Sequence, residues 1–423
     1  MGKRSPLFKP LWFATLALAA MPVLGMRPMV LVIIIWSVLA LVHRTRSSTS
    51  ARIEWQTIFV LCAPFILMLL DLFRADSFSD GWPFVERSAA LAIFPIGFLL
   101  FAAPADARTR DLMRTIFTLC GTVLALVVNA LMLPYLKQAW EVDASFSSTY
   151  RFAFSDISGV HPPYAAYWFL VGALFQVDVL FSAFTKWRPI RSILWRIAVL
   201  IVMVVTALFI GSRMPLFAFG AGVVLLLFMR LPRVVAMRSS ILVLGLLAAA
   251  VLLSPGIRER MGELLPFEDG ATSNATMNSV EIRRPITDCS LALLEEHWIM
   301  GIGGAEVQGA LDTCYASLGL GHMEANGYGP HDQALHWWLS YGILGLTAFA
   351  LLFGWSMRRA WQRKDALHLS FLLFMLLCTF TEDLLTRQWG VVLFACFNTL
   401  FVAGGNGTAS EFHTVDPALN NES

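Results

Sequence analysis

The stretch GPHDQALHWWLSYGILGL, residues 329–346, changes from polar to apolar within a few positions. His331 therefore stands where a water-exposed loop meets a helix apolar enough to enter a membrane. Gly342 and Gly345 follow on that helix, and small residues close together let helices approach one another. The stretch predicts a boundary between a large polar loop and a membrane-embedded bundle.

The chain as a whole has the composition of a polytopic membrane protein. Of its 423 residues, 57% are hydrophobic and 14% are charged, which excludes an ordinary soluble domain. We predict an all-α fold with about twelve transmembrane helices. The apolar runs are 10–25, 28–43, 55–73, 88–104, 115–135, 164–184, 193–211, 215–230, 240–253, 334–354, 366–381 and 389–403.

Basic residues predict the orientation of the bundle. Lys and Arg are concentrated in segments that alternate along the chain: the N-terminus and the loops 44–54, 105–114, 185–196, 230–238 and 358–365. Short cytoplasmic loops of membrane proteins carry such an excess. Both termini are therefore expected to be cytoplasmic, and the more polar alternate loops are expected on the opposite side.

The spans divide the chain into four parts. Residues 1–253 form an N-terminal bundle of about nine spans, 254–333 a large polar loop, 334–403 the C-terminal helices and 404–423 a tail expected to be disordered. A connection of that length predicts a functional loop.

Two features stand out within the large loop. The segment Pro285–Trp298 places Ile286, Leu293, Leu294 and Trp298 on one stripe, which predicts an amphipathic helix that lies on the membrane or caps the bundle. Cys289 and Cys314 share the loop and could form a disulfide if it is extracytoplasmic.

Motifs for several kinds of chemistry are missing. The chain has no P-loop, no dinucleotide-binding turn and no His/Cys cluster with zinc spacing, so we expect neither cofactor nor metal, and no nucleic-acid partner. Gly301-Ile-Gly303-Gly304 resembles a phosphate-binding turn, but such a cluster is more often a bend. Four further residues carry metal-ligating groups, but their spacing fits no closed site: His322, Glu324, His331 and Asp332.

Arginines on the non-cytoplasmic side suggest an anion site. Arg213 stands at the outer end of a span, and Arg283 and Arg284 open the amphipathic segment. A guanidinium binds phosphate oxygens with a planar, permanently charged fork, and a neutral histidine can take a proton from an attacking hydroxyl. Together with His331, these arginines predict a diphosphate site.

At these residues the sequence resembles the O-antigen ligases and the related O-antigen and exopolysaccharide polymerases, best from about Ile210 to Val402. Ser212-Arg213 is similar to the family's Ser-Arg at a span end. Asn278-Ser279 with Arg283, and Gly301-Ile-Gly303 eighteen residues on, resemble its loop signature.

The resemblance extends to the stretch 329–346. His331, Leu335, Gly342 and Gly345 are similar to the family's His-initiated motif, and Glu382 to an acid at a later turn. The chain departs from the family pattern at three positions, where Thr287, Trp298 and Asp332 replace the usual residues.

The resemblance implies a metal-independent, inverting glycosyltransferase in the bacterial inner membrane with its active site facing the periplasm. Its donor would be a glycan on undecaprenyl diphosphate, and its acceptor lipid A-core or another glycan. His331 would be the general base, with Arg213 and Arg283 on the diphosphate. Secondary candidates are Arg284, Asp332, Glu382 and His161.

Three functions fit this sequence. An O-antigen ligase is favoured over a polymerase because one outer loop is dominant. The third is a transporter of lipid-linked oligosaccharides, but only Asp178 lies well inside a span, whereas transporters usually carry more intramembrane charge or inverted repeats.

Overall fold

The computed structural model describes residues 8–46, 53–75, 77–141, 145–185, 189–254 and 282–404. These residues form helices and turns, and no strand occurs among them. The helices are α1 (Phe8–Ala17), α2 (Met21–Leu24), α3 (Met26–Arg46), α4 (Trp55–Asp71), α5 (Phe78–Ser88), α6 (Ala90–Pro95), α7 (Ala107–Leu131), α8 (Leu133–Glu141), α9 (Phe146–Ser158), α10 (Pro162–Thr185), α11 (Ile190–Ile210), α12 (Arg213–Arg230), α13 (Arg233–Leu253), α14 (Arg283–His297), α15 (Val307–Ser317), α16 (Gly321–Asn326), α17 (Gln333–Gln362), α18 (Ala366–Thr379) and α19 (Gln388–Gly404).

Among the described residues, 7 helices are long and apolar enough to cross a membrane, or 8 if α5 and α6 form one bent span. The remaining apolar segments are shorter: Phe8–Leu24, α4, α18 and α19. Each predicted apolar run coincides with one of these helices or with the bent pair. The all-α membrane class is confirmed, while the number of spans stays a prediction.

The bundle is built around α10, α18 and α19. Trp168 and Phe169 of α10 and Phe371 of α18 are fully buried. Rings interlock at this centre, with the centroid of Phe397 lying 5.0 Å from that of Phe117 and 5.1 Å from that of Phe175. By contrast, α13 leaves most of its apolar side chains exposed, as expected for a helix at the lipid boundary.

One end of the bundle carries ion pairs between helix termini. Asp178 of α10 lies 3.1 Å from Arg114 and 2.6 Å from Arg230. This acid is thus neutralised by two arginines, as buried charges usually are. The helix ends that meet here border the loops predicted to be cytoplasmic. We call this end of the bundle the basic face.

The opposite face carries the described part of the large loop, residues 282–332. Its helices α14, α15 and α16 enclose a small core together with the start of α17, and Cys289 and Cys314 are joined by a disulfide. That core contains Ile286, Cys289, Leu294, Val307, Leu311, Tyr315, Met323 and Leu339.

The amphipathic helix is therefore present as α14, with one correction. Trp298 was expected on the apolar stripe but is 50% exposed, because α14 ends at His297 and the chain turns away. Cys289 contributes to the buried face in its place. Residues 255–281, including Asn278-Ser279, lie outside the described residues, as does the tail after Gly404.

Helix α17 is broken at Gly342, whose φ is 62° and ψ −151°. The carbonyls of Leu339 and Ser340, which the break leaves without helical partners, accept the backbone N–H groups of Ile302 and Gly303 at 2.7 and 3.0 Å. The glycine turn 301–304 thus supplies the hydrogen-bond donors that the broken helix lacks. It is a bend rather than a phosphate-binding turn, because its N–H groups are already used.

The outer end of α4 holds this turn from the other side. The Arg74 guanidinium donates to the carbonyls of Met300 and Gly301, both at 2.9 Å, and the Asp71 carboxylate accepts from the N–H of Gly304 at 2.7 Å. A contact spanning more than two hundred residues therefore fixes the loop to the bundle.

Candidate active site

His331 lies at the boundary between the large loop and the first half of α17. Its φ of 52° is in the left-handed region, which a non-glycine residue adopts only when its surroundings impose it. Its backbone N–H donates to Oδ2 of Asp383 at 3.3 Å, and Asp332 follows as the N-cap of α17. The backbone of the predicted base is thus held from both sides.

The imidazole of His331 faces a carboxylate. Its Nδ1 lies 3.7 Å from Oε2 of Glu382, and both side chains are half-buried. Burial lowers the pKa of His331, but Glu382, followed by Asp383, outweighs it, and the pKa is raised above its usual value. The structure brings together these two residues, which the sequence suggested separately.

Asp383 is the residue that sequence reasoning missed. Its Oδ2, which accepts from the His331 backbone, also lies 3.3 Å from Nδ1 of His336. Burial raises the pKa of Asp383, but the two histidines outweigh this effect and hold the pKa below its usual range. Its position beside Glu382 in the predicted outer turn was the only available signal.

Arg283 reaches the same turn from α14. Its Nη2 donates to the carbonyl of Thr381 at 3.2 Å, directly before Glu382, and its charge opposes the rise in the pKa of His331. Arg284 is exposed beside it, and no contact between Arg284 and His331 or Glu382 occurs in the described part of the chain. One of the two loop arginines therefore joins the site.

Two secondary candidates have clear positions. Oδ1 of Asp332 accepts from the N–H of Leu335 at 2.9 Å, so this carboxylate is occupied as the cap of α17, and burial raises its pKa. His161 precedes α10 and faces the site. Burial lowers its pKa, while Glu382 acts in the opposite direction.

Arg213 opens α12 at the same depth as the turn that carries Glu382. A Cβ placed on Gly222 of α12 would lie 3.3 Å from the carbonyl of Ser370 of α18, which marks where these antiparallel helices touch. Arg213 and Thr379 are each nine residues beyond that point, or about 14 Å along their helices. The structure thus brings Arg213 to the level of the site.

The four residues considered as metal donors do not come together. His322 and Glu324 are exposed on α16, and no group of three or more His, Cys, Asp or Glu side chains that could hold a metal ion occurs among the described residues.

Comparison with known protein families gives a match over much of the sequence that forms this site. Residues 198–350 match the O-antigen ligase family. The match runs from α11 through the upper half of α17 and so includes Arg213, Arg283 and His331, while Glu382 and Asp383 lie beyond it. No curated protein matches the chain. Over residues 198–350 the chain is therefore similar to the O-antigen ligase family, and this stretch lies in a helical fold with several helices apolar and long enough to cross a membrane.

Proposed function

We propose that this protein transfers a glycan from undecaprenyl diphosphate to an acceptor sugar hydroxyl, as an O-antigen ligase acting on lipid A-core. The observation that carries the proposal is the His331–Glu382 pair, 3.7 Å apart, with Arg283 anchored at the adjoining turn. The His and Arg of this group belong to the stretch that matches the ligase family.

The proposed reaction needs a base and a site for a departing diphosphate. Neutral His331 takes the proton of the acceptor hydroxyl as its oxygen attacks the anomeric carbon. Glu382 stabilises the imidazolium that results, as a carboxylate does beside a catalytic histidine. The bond from the anomeric carbon to the diphosphate oxygen breaks, and its electron pair leaves with the diphosphate. Attack from the side opposite the leaving group inverts the sugar.

The arginines would serve the diphosphate. Negative charge builds on the leaving oxygen in the transition state, where a fixed cation is most effective. Arg283 and Arg213 lie at the depth of the His331–Glu382 pair and are the two proposed ligands. Arg284 would add positive charge at the edge of the site. His161 would be a neutral group that faces the bound acceptor. Asp332 would position His331 by capping the start of α17. Neither a metal nor a cofactor takes part in this scheme.

The site is proposed to face the periplasm of a bacterial inner membrane, with both termini cytoplasmic. Two observations support this orientation. The predicted cytoplasmic loops gather at the basic face, away from the site. The Cys289–Cys314 disulfide lies beside the site, and disulfides persist in oxidising compartments such as the periplasm.

Glycan analysis of a deletion strain tests the proposal, run as a lipopolysaccharide gel beside a carrier-lipid extract. A ligase predicts bare lipid A-core and long glycan left on the carrier. Single repeat units on the carrier or on the core would instead identify a polymerase. A transporter would move the carrier without cleaving it, so purified protein that releases undecaprenyl diphosphate from the donor would exclude that function.

A further inference from the structure

A basic pocket lies at the face opposite the candidate active site. It has a volume of about 420 Å³ and opens between the start of α4 and the end of α17. Its walls are formed by Gln56, Trp355, Arg358, Arg359, Gln362 and Arg363. A cavity of this size can hold a phosphate-bearing headgroup.

The pocket keeps a net positive charge after the ion pairs of its lining residues are counted. Nη1 of Arg359 lies 2.6 Å from Glu54, and Arg363 donates to the carbonyl of Val402. Asp365 caps α18 and pairs with Arg110. Three arginines thus face one engaged carboxylate, which leaves an excess of two positive charges.

One donor group in the pocket is available. Within the described residues, no hydrogen bond or ion pair reaches the guanidinium of Arg358, which is exposed. The Nε1–H of Trp355 is buried and has no partner there. This nitrogen is closed off from solvent, so Trp355 lines the pocket without offering a donor that a ligand could reach.

The surroundings of the pocket are apolar. Leu351, Trp355, Arg358 and Gln362 recur at helical spacing on one face of α17, and Leu351 is 47% exposed about 10 Å along the axis from Arg358. Phe59, on α4, is 65% exposed. Trp55 and Trp361 are 62% and 64% exposed, as aromatic residues at a membrane interface are.

We propose that this pocket binds the phosphate of an anionic phospholipid in the leaflet of the basic face, with the acyl chains lying against Leu351 and Phe59. Arg358 would contact the phosphate oxygens, while Arg359 and Arg363 supply the surrounding positive charge. A soluble phosphate would use the same charges but would leave the apolar walls unused. The apolar walls therefore favour a lipid.

Native mass spectrometry of the full-length protein in detergent tests the proposal, using phosphatidylglycerol and phosphatidylcholine with identical chains. We expect phosphatidylglycerol to bind more tightly, and Arg358→Gln to weaken it by about fivefold, the effect of one basic residue near an anionic lipid. Arg233→Gln removes an exposed arginine from the start of α13 and should change nothing.

Three results would overturn the proposal. The first is equal binding of both lipids by the wild type, and the second is an equal effect of Arg358→Gln and Arg233→Gln. The third is displacement of bound phosphatidylglycerol by an equal concentration of glycerol phosphate, which would identify a soluble phosphate as the ligand. Thermal unfolding of each variant shows whether it is folded, and Arg358 has no described contact whose loss would unfold the chain.

Discussion

His331 combines an unusual backbone conformation with a carboxylate partner. Its left-handed φ is held by the Asp383 carboxylate and by the start of α17, and its ring lies beside Glu382. Strained residues are concentrated at functional sites, where the surrounding structure over-determines them. The strained backbone of His331 is thus what is expected where the position of a side chain is needed for function.

Replacing Glu382 with Gln should alter the pH dependence of transfer. A general base works in its neutral form, so the rate falls on acidification as His331 becomes protonated. The Glu382 charge favours the imidazolium and raises the pKa of His331. Without that charge the pKa of His331 falls. The acidic limb of the plot of transfer rate against pH therefore moves to lower pH. Transfer rates of purified protein between pH 5 and pH 9 measure this shift, about the range over which histidine titrates.

Glu324→Gln is the matched control for that experiment, because Glu324 is exposed on α16. It should leave the profile unchanged. An acidic limb that stays in place in Glu382→Gln would show that Glu382 does not act on the titrating base.

Asp383→Asn should destabilise the protein as well as reduce transfer. The carboxylate accepts from the His331 backbone and lies against His336, and an uncharged amide can accept the same hydrogen bond but loses the charge that both histidines face. Hydrogen bonds to charged groups contribute about 1.5–3 kcal/mol against about 1 kcal/mol for neutral ones, so the expected loss is about 1–2 kcal/mol. Thermal unfolding in detergent measures this loss, and an unfolding temperature equal to that of the wild type would contradict the positioning role of Asp383.

At the scale of elements, the apolar helices could be predicted and the break in α17 could not. Apolar runs and the stripe of Ile286 and Leu294 depend on local sequence, which is why the helix positions and α14 were right. The break at Gly342 depends on a loop forty residues away and on Arg74, which donates to the carbonyls of Met300 and Gly301. Such long-range pairing leaves no periodic signal in the sequence.

The same limit applied to the site. Each of His331, Arg283 and Glu382 was proposed from its own segment and from family resemblance. Their proximity is set by the packing of α14, α17 and α18, which no pattern encodes. Asp383 was missed because an acid in a polar turn has no distinguishing feature until its partners are known.

Gly342→Ala should destabilise the protein strongly. A Cβ at this position would lie 2.0 Å from the Ile299 carbonyl oxygen, and the φ of 62° disfavours any side chain. A backbone with φ 62° and ψ −151° is one that essentially only glycine adopts, so it costs another residue about 1–3 kcal/mol, and the clash adds to this cost. The expected result is a lower unfolding temperature and loss of transfer.

Gly354→Ala is the matched control on the same helix. Nothing lies within 4 Å of a Cβ at Gly354, so this change should be neutral or stabilise the helix by up to about 1 kcal/mol. If both variants unfold alike, the break at Gly342 is not required for the fold.

At the scale of the whole molecule, the bundle separates two environments. Ion pairs and basic loops gather at one face, and the disulfide-linked loop with the His331 site occupies the other. The arrangement fits a membrane enzyme that works on one side of the bilayer and is anchored by charge on the other.

The state of Cys289 and Cys314 tests this orientation. We expect both thiols to resist alkylation in intact cells until a reductant is added, because the periplasm is oxidising. Mass spectrometry of the labelled protein measures it. Free, readily alkylated thiols before reduction would contradict a periplasmic position for α14 and α15. Cys120, a free cysteine elsewhere in the bundle, provides an internal comparison.

The most direct test of the central claim is transfer by the purified protein, with an undecaprenyl-diphosphate glycan as donor and lipid A-core as acceptor. The wild type should release undecaprenyl diphosphate and extend lipid A-core in equal amounts. His331→Ala, folded as judged by thermal unfolding, should lose both by about 100-fold or more, the usual contribution of a general base. Near-normal transfer by His331→Ala would contradict the assignment of His331 as the base.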